Sequence, residues 1–249
     1  MVYVVINETN ILNSNLNIID LIKTKTRSCT DDQIIQLQEY VRLLLEWNQK
    51  INLISRNDEL NIWSRHIIIS LSLLFEWELK SNSTIIDIGT GGGLPGLPIA
   101  IFNSSIRFIL VDSIKKKCLA VRDIVERMSL TNVQVVNARV EEMTKQSSFV
   151  NSFDYILARA VAPIDELIKW SKPLLKKVTA SEEKTDEKQQ DKKMIPPGSY
   201  IFWKGGDIQD EINRTQAKYH PTNISVYPLI FEEPISALNP DKKIVIIIP

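Results

Sequence analysis

Cysteine and histidine are scarce in this chain, with two of each among 249 residues. Cys29 and Cys118 stand alone without metal-ligand spacing, so neither a disulfide framework nor a zinc site is expected, and a reducing compartment fits. Charge of one sign is also missing. Lys plus Arg equal Asp plus Glu at 30 each, for a formal net charge of zero. No global positive field draws in nucleic acid, and any such surface must come from local patches. No apolar run approaches the roughly 20 residues needed to span a bilayer. The opening stretch, Met1 to Ile6, is too short for a signal peptide and lacks its basic flank. A cytoplasmic monomer without membrane or metal is expected. Glycine is sparse as well, eight in all, which gives weight to where it falls: Gly89, Gly91, Gly92, Gly93 and Gly96 crowd a single loop.

That loop follows the apolar run Ile85-Ile86-Asp87-Ile88. A buried strand stops abruptly at a segment stripped of side chains, where the backbone can turn tightly and a ligand can lie against the main chain. Asp87, at the strand's carboxyl end, is placed to bond a ligand's amino group or to hold the loop's amides. Gly91-x-Gly93-x-x-Gly96 matches the dinucleotide fingerprint literally. Asp87-x-Gly89-x-Gly91-x-Gly93 resembles the first motif of S-adenosylmethionine methyltransferases. The surroundings must decide between them.

Residues 1–29 carry no clear period and read as a loosely attached arm with one short helix near 18–23. Thr30 caps the next helix, with Asp31 and Asp32 in its first turn. Ile34, Leu37, Val41, Leu44, Asn48 and Ile51 form one stripe, in which Asn48 needs partners if buried. A second helix is expected over 58–78, with Trp63, Ile67, Leu71 and Leu74 inward. Residues 30–80 thus read as a helical cap on one domain that runs from 30 to 249.

From residue 84 strands and helices alternate. Strands are expected at 84–88, 107–112, 133–137, 153–159 and 200–204. Helices are expected from about 95, where Pro95 and Pro98 suit a first turn, and at 115–128, 162–175 and 207–218. Leu119, Ile124 and Val125 are core candidates of the second of these. Two final runs, 224–227 and 243–248, leave no room for a helix between them and should pair antiparallel. The expected fold is α/β and Rossmann-like, a mostly parallel seven-stranded sheet with an antiparallel C-terminal strand. Residues 179–193 contain one apolar residue, Ala180, and with 194–197 read as a solvated, disordered insertion.

In an open α/β sheet, ligands bind outside the carboxyl ends of the strands. Here those ends offer Asp87 with the glycine loop, Asp112, Arg139 with Glu141 and Glu142, Arg159, and Lys204. Asp112 suits ribose hydroxyls of either cofactor. The NAD reading is disfavoured because the prolines flanking Gly96 start the helix too late for its amides to meet a pyrophosphate. A Walker-type loop is excluded, since no Gly-Lys-Ser/Thr follows. His66 falls on an inward helix stripe, where a satisfied core histidine is the ordinary outcome, although Arg65 and His66 could instead floor a substrate cleft. Lys115, Lys116 and Lys117 suit a solvated helix face or RNA phosphates, and Lys204 is the preferred basic residue on the substrate side. Trp47 and Trp63 read as core, and Cys118 as non-catalytic.

The segments Leu45-Glu-Trp47-Asn48-Gln-Lys-Ile-Asn52-Leu53-Ile-Ser55, Arg65-His66, Asp87 to Gly96, Val111-Asp112-Ser113, Arg139-Val-Glu141-Glu142 and Ala158-Arg159-Ala160 occur in that order. Together they resemble the RsmG/GidB family, bacterial methyltransferases that act on guanine N7 in small-subunit (16S) ribosomal RNA. The likeness covers roughly 34–175 and 198–249. It implies S-adenosylmethionine as cofactor, with contacts at Gly89, Leu94, Val140, Glu141 and Arg159, beside the Asp87, Gly91, Gly93 and Asp112 reached from the residues. Arg65, His66, Arg139 and Lys204 are the substrate-side candidates, and 16S ribosomal RNA or the small ribosomal subunit the expected partner. Guanine N7 has a lone pair and no proton, so alignment rather than a catalytic base is needed. One departure stands out: the family commonly has Asp three residues after the His, where this chain has Ile69. The alternatives are a SAM-binding ribosome-assembly or RNA-binding protein with little catalysis, and an NAD-dependent oxidoreductase.

Overall fold

The computed structural model describes residues 8–26, 29–177, 193–233 and 235–249, and of 8–16 the backbone alone. Up to residue 76 the elements among the described residues are helical. α1 (Glu8–Lys25) is followed by α2 (Asp31–Asn48), which begins in a reciprocal capping box between Thr30 and Gln33. Such a box satisfies two amides that the first helical turn leaves without partners. The expected arm is therefore different in structure: over 8–25 the chain is one helix, with Ile18, Ile19 and Ile22 buried in the main core. Three isoleucines within five residues anchor it. They are too few to show as a period among the asparagines before them.

The expected helix over 58–78 is broken. A 3-10 turn (Arg56–Asn61) leads into a π-helical turn (Trp63–Ile67), then α3 (Ile68–Leu71) and α4 (Leu73–Glu76). β1 (Trp77–Glu78) ends the run and pairs in parallel with β6 (Lys193–Met194). Trp63, Ile67, Leu71 and Leu74 are buried as the stripe requires. The π turn holds Arg65 and His66; such turns occur mostly as single-turn bulges within helices and are frequent at functional sites.

The main sheet contains β2 (Thr84–Ile88), β3 (Arg107–Asp112), β4 (Val133–Asn137), β5 (Tyr155–Arg159), β7 (Ser199–Lys204), β8 (Asn223–Pro228) and β9 (Lys243–Ile248). Their order is β4-β3-β2-β5-β7-β9-β8, and β9 runs antiparallel to both neighbours. The helices between them are α5 (Gly96–Phe102), α6 (Lys115–Arg127), α7 (Val140–Met143), α8 (Ile164–Ser171) and α9 (Gln209–Tyr219). A four-residue helix, α10 (Ile235–Leu238), stands between β8 and β9, where none was expected. Ile235 is buried, which is reason enough for the turn to wind inward. The core lies in two layers. One joins α1, α2, α5 and α6 to one face of the sheet; the other joins α7, α8 and α9 to the opposite face. In α6 the buried residues are Cys118, Ala120, Val121, Ile124 and Val125, whereas Leu119 is 46% exposed. The stripe passes through Cys118, so Leu119 is turned to solvent.

Of the expected insertion, residues 179–192 lie outside the described residues. Its last residues are ordered into the fold: Ile195 is buried, donates its N–H to the Glu78 carbonyl and accepts the Tyr155 hydroxyl at 2.8 Å. Among the described residues no helix is long and apolar enough to cross a membrane.

Candidate functional site

β2 delivers Asp87 to the start of the glycine loop. The side chain is fully buried. Its Oδ2 accepts the Thr90 hydroxyl at 2.7 Å and the Gly96 N–H at 3.0 Å, while Oδ1 is buried without a partner. Burial pushes this carboxyl up to about 7, against the opposing pull of Thr90, Gly96 and the Arg159 charge. Gly89 and Gly93 hold φ of +65° and +95°, a conformation side chains rarely adopt. At Gly96 the restriction is space: a Cβ would collide with Leu110 Cδ2 and stand 2.8 Å from Asp87 Oδ2. Leu94 is buried within the loop.

The loop is braced from two sides. The Tyr40 hydroxyl, from α2, donates to the Gly92 carbonyl at 2.9 Å. Asp112, at the end of β3, accepts the Gly91 N–H at 3.0 Å on one oxygen and the Ile114 N–H at 2.8 Å on the other. Each of its oxygens keeps a lone pair for a further donor. β4 runs alongside, with Asn137 opposite Asp112, and leads into Arg139, buried Val140 and exposed Glu141. The amides that open α5 are already paired, Gly96 with Asp87 and Leu97 with the Gly93 carbonyl. They offer nothing to a pyrophosphate, which agrees with the objection to NAD that the prolines raised.

On the other side of β2, β5 ends in Arg159. Its neighbour Ala160 has φ +56°, an uncommon state for a non-glycine residue. Arg159 Nη2 is 2.6 Å from His66 Nδ1, and Nη1 donates to the His66 carbonyl at 3.2 Å and to Ser70 Oγ at 3.4 Å. Burial lowers this guanidinium to about 10, so it stays cationic at neutral pH. His66 Nε2 lies 3.1 Å from Asp58 Oδ2, and Arg65 Nη1 lies 3.4 Å from Asp58 Oδ1. Burial and the Arg159 charge lower His66 to about 4.

These groups line a cleft of about 500 Å³ together with Trp203, Lys204, Glu211, Asn239 and Lys242. Lys204 Nζ is held by Glu211 Oε2 at 2.7 Å and by the Ala162 carbonyl at 3.0 Å. The structure thus gathers Arg65, His66, Lys204 and Arg159 into one cleft. It places Arg139 apart from them, at the exposed end of β4, with β3 and β2 between it and β5. His66 is mostly buried and also lines the cleft. Sequence reasoning missed Asp58, Glu211 and Tyr40. For Asp58 the only signal was general: a mostly buried histidine needs partners for its ring nitrogens.

The arrangement suits S-adenosylmethionine. Asp87 Oδ1 is buried without a partner, and in its ionised form it could accept from the ligand's ammonium. Asp112 keeps lone pairs on both oxygens that ribose hydroxyls could use, and the positive φ at Gly89, Gly91 and Gly93 shapes the loop beside it. Sheet order, glycine loop and paired acidic strand ends together define a Rossmann-like methyltransferase of the S-adenosylmethionine-dependent class. Two solved structures share the fold: a SAM-dependent methyltransferase from Aquifex aeolicus (TM-score 0.52, 13% identity, 77% of this chain and 94% of that one), and the O-methyltransferase from Bacillus cereus in complex with SAH (TM-score 0.52, 16% identity, 92% and 100%).

The chain belongs to the rRNA small subunit methyltransferase G (GidB) family, whose model matches residues 33–181. Among relatives named ribosomal RNA small subunit methyltransferase G, that of Christiangramia forsetii is 36% identical over 78% of this chain and 83% of its own length. That of Chlorobium chlorochromatii is 34% identical over 91% and 87%.

Proposed function

We propose that this chain transfers a methyl group from S-adenosylmethionine to N7 of a guanine in 16S ribosomal RNA. Its family membership makes it a methyltransferase with S-adenosylmethionine as donor, and both relatives quoted are named for the small-subunit RNA. When bound, the donor supplies an electrophilic methyl group on a sulfonium. Asp87 and the loop from Gly89 to Leu94 would hold its amino-acid end, with Gly91 and Gly93 giving the close approach. Asp112, Val140 and Glu141 would hold the nucleoside end, and Arg159 would stand between that pocket and the cleft.

The observation that carries the N7 reading is the state of the bases in the cleft. His66 has one nitrogen against Asp58 and the other against Arg159. Asp58 is engaged by Arg65 and His66, and Glu211 by Lys204. Among the described residues named here, each candidate base is already committed to a cation or a ring N–H. A nucleophile that must lose a proton is poorly served by such a cleft. A ring nitrogen with a free lone pair needs only to be aligned with the methyl group, which is catalysis by orientation.

The test is incubation of the protein with methyl-labelled S-adenosylmethionine and small-subunit RNA, naked and assembled, followed by mapping of the labelled base. Methylation at N7 makes the chain cleavable after reduction and aniline treatment, and one such site is expected. Label on an exocyclic nitrogen or a ribose would refute the N7 assignment. Tight binding of donor and RNA without transfer would favour an assembly protein.

A further inference from the structure

His66 lies between a carboxylate and a guanidinium, and that placement fixes its proton. Arginine has donors and no acceptor. At 2.6 Å from Arg159 Nη2, Nδ1 can only be the acceptor, so the ring is neutral and its hydrogen sits on Nε2, directed at Asp58 Oδ2 at 3.1 Å. A second proton on the ring would set an N–H against the guanidinium, in agreement with the low affinity of His66 for protons. The groups that face the ring are Asp58, Arg65 and Arg159.

We propose that Asp58 and His66 are positioning residues, which act in series to hold the Arg159 guanidinium at the junction of the glycine loop and the cleft. The inference rests on reading that junction as the site of methyl transfer. Three further observations support it. The Arg159 guanidinium is gripped three times from the same helical segment, at the His66 ring, the His66 carbonyl and Ser70. Ile69, where the family resemblance leads one to expect a carboxylate, is buried and uses its carbonyl to hold the Trp203 indole at 2.7 Å. The carboxylate arrives instead from the 3-10 turn at 56–61, and that turn is itself tied down. Buried Asn48 donates to Glu59 at 2.6 Å while its oxygen accepts the Leu53 and Ile54 N–H groups at 2.8 and 3.0 Å. Asp58 thus supplies the carboxylate on the Nε2 side of the ring, opposite Arg159.

The test is a double-mutant cycle on the full chain, read by S-adenosylmethionine affinity and by single-turnover methyl transfer to small-subunit RNA. His66→Leu should weaken both by about tenfold or more, as expected for a lost hydrogen bond to a charged group. His66→Asn, whose Oδ1 falls near the Nδ1 position, should recover most of the loss. In the Arg159→Met background, His66→Leu should have little further effect, because what it positions is gone. Additive losses would overturn the relay and leave only a packing role. Should His66→Leu fail to fold, Asp58→Leu decides by the same cycle, since that side chain is 20% exposed. Nitrogen NMR of the wild-type ring should show Nε2 protonated and Nδ1 bare; a proton on Nδ1 would overturn the proposal. A wild-type protein that neither binds the donor nor methylates the RNA would overturn the methyltransferase reading itself, whereas an active wild type with an additive cycle removes the relay alone.

Discussion

Replacing Asp87 with asparagine should stabilise the protein increasingly as pH rises from about 4 to about 7, the interval between its ordinary and buried pKa. The side chain is wholly buried and its Oδ1 has no partner, so ionisation is opposed by desolvation more than it is helped by Thr90, Gly96 and Arg159. The folded protein keeps the proton up to about pH 7, whereas the unfolded chain releases it near 3.8. Between those values the folded state binds more protons, and stability must fall as pH rises. The stabilisation is complete below the unfolded pKa and lost as pH climbs through the folded one. A rise from 3.8 to about 7 corresponds to roughly 4 kcal/mol. Asparagine imitates the protonated form without titrating. Its amide in the place of Oδ1 adds a cost of about 1–3 kcal/mol for an unpartnered donor, but that cost does not change with pH. The slope is therefore the observable. His66 acts in the other direction, its stabilising effect being lost as pH falls from 6.5 to about 4, and it cancels when the two proteins are subtracted. Urea unfolding at several pH values should give a difference that grows toward asparagine by up to roughly 4 kcal/mol and levels off above neutrality. A difference independent of pH, or one of opposite slope, would refute the assignment of a protonated buried carboxyl.

Binding of S-adenosylmethionine places a cation near Asp87 and should draw its pKa down from about 7; affinity should then rise with pH up to neutrality, and calorimetry in buffers of different ionisation enthalpy should detect proton release. Gly96→Ala should cost about 1–3 kcal/mol through overpacking against Leu110 and Asp87 and should weaken donor binding; an unchanged melting temperature together with unchanged affinity would contradict the packing described. Asn48→Leu leaves the Leu53 and Ile54 amides without their acceptor, and a loss of about 3 kcal/mol is expected in denaturant unfolding.

Much of the fold was legible because β2, β3, β5 and β7 are short apolar runs bounded by polar or glycine punctuation, and because their carboxyl ends carry Asp87, Asp112, Arg159 and Lys204. The antiparallel place of β9 followed from the short spacing after β8, although α10 still fits between them. What local pattern could not show was how the segment at 56–76 would wind. Its apolar residues are helically spaced, and Trp63, Ile67, Leu71 and Leu74 are buried accordingly. The 3-10 and π turns bring Asp58 and His66, eight residues apart, together while Arg159 reaches the His66 carbonyl. Propensity and period describe a helix on its own, and this one is shaped by a strand end 93 residues away.

The site separates in the same way. Glycine, proline and acidic punctuation around 87–96 and 112 express backbone geometry, which is local, so the shape of that loop and its anchoring on Asp87 and Asp112 were within reach of the sequence. The substrate side depends on pairings across the sheet, and there a residue's type is a poor guide to its freedom. Lys204 reads as a cation for a phosphate, yet Glu211 and the Ala162 carbonyl already hold it. Lys243 likewise spends its ammonium on the Gly206 carbonyl at 2.6 Å. With net charge at zero, attraction for RNA has to come from cations that the fold leaves uncommitted. Counting basic residues along the chain therefore overstates the positive character of the cleft. Arg159 escapes that reduction for a physical reason: its partner in the cleft is a neutral imidazole and a carbonyl, so its charge is oriented there without being cancelled.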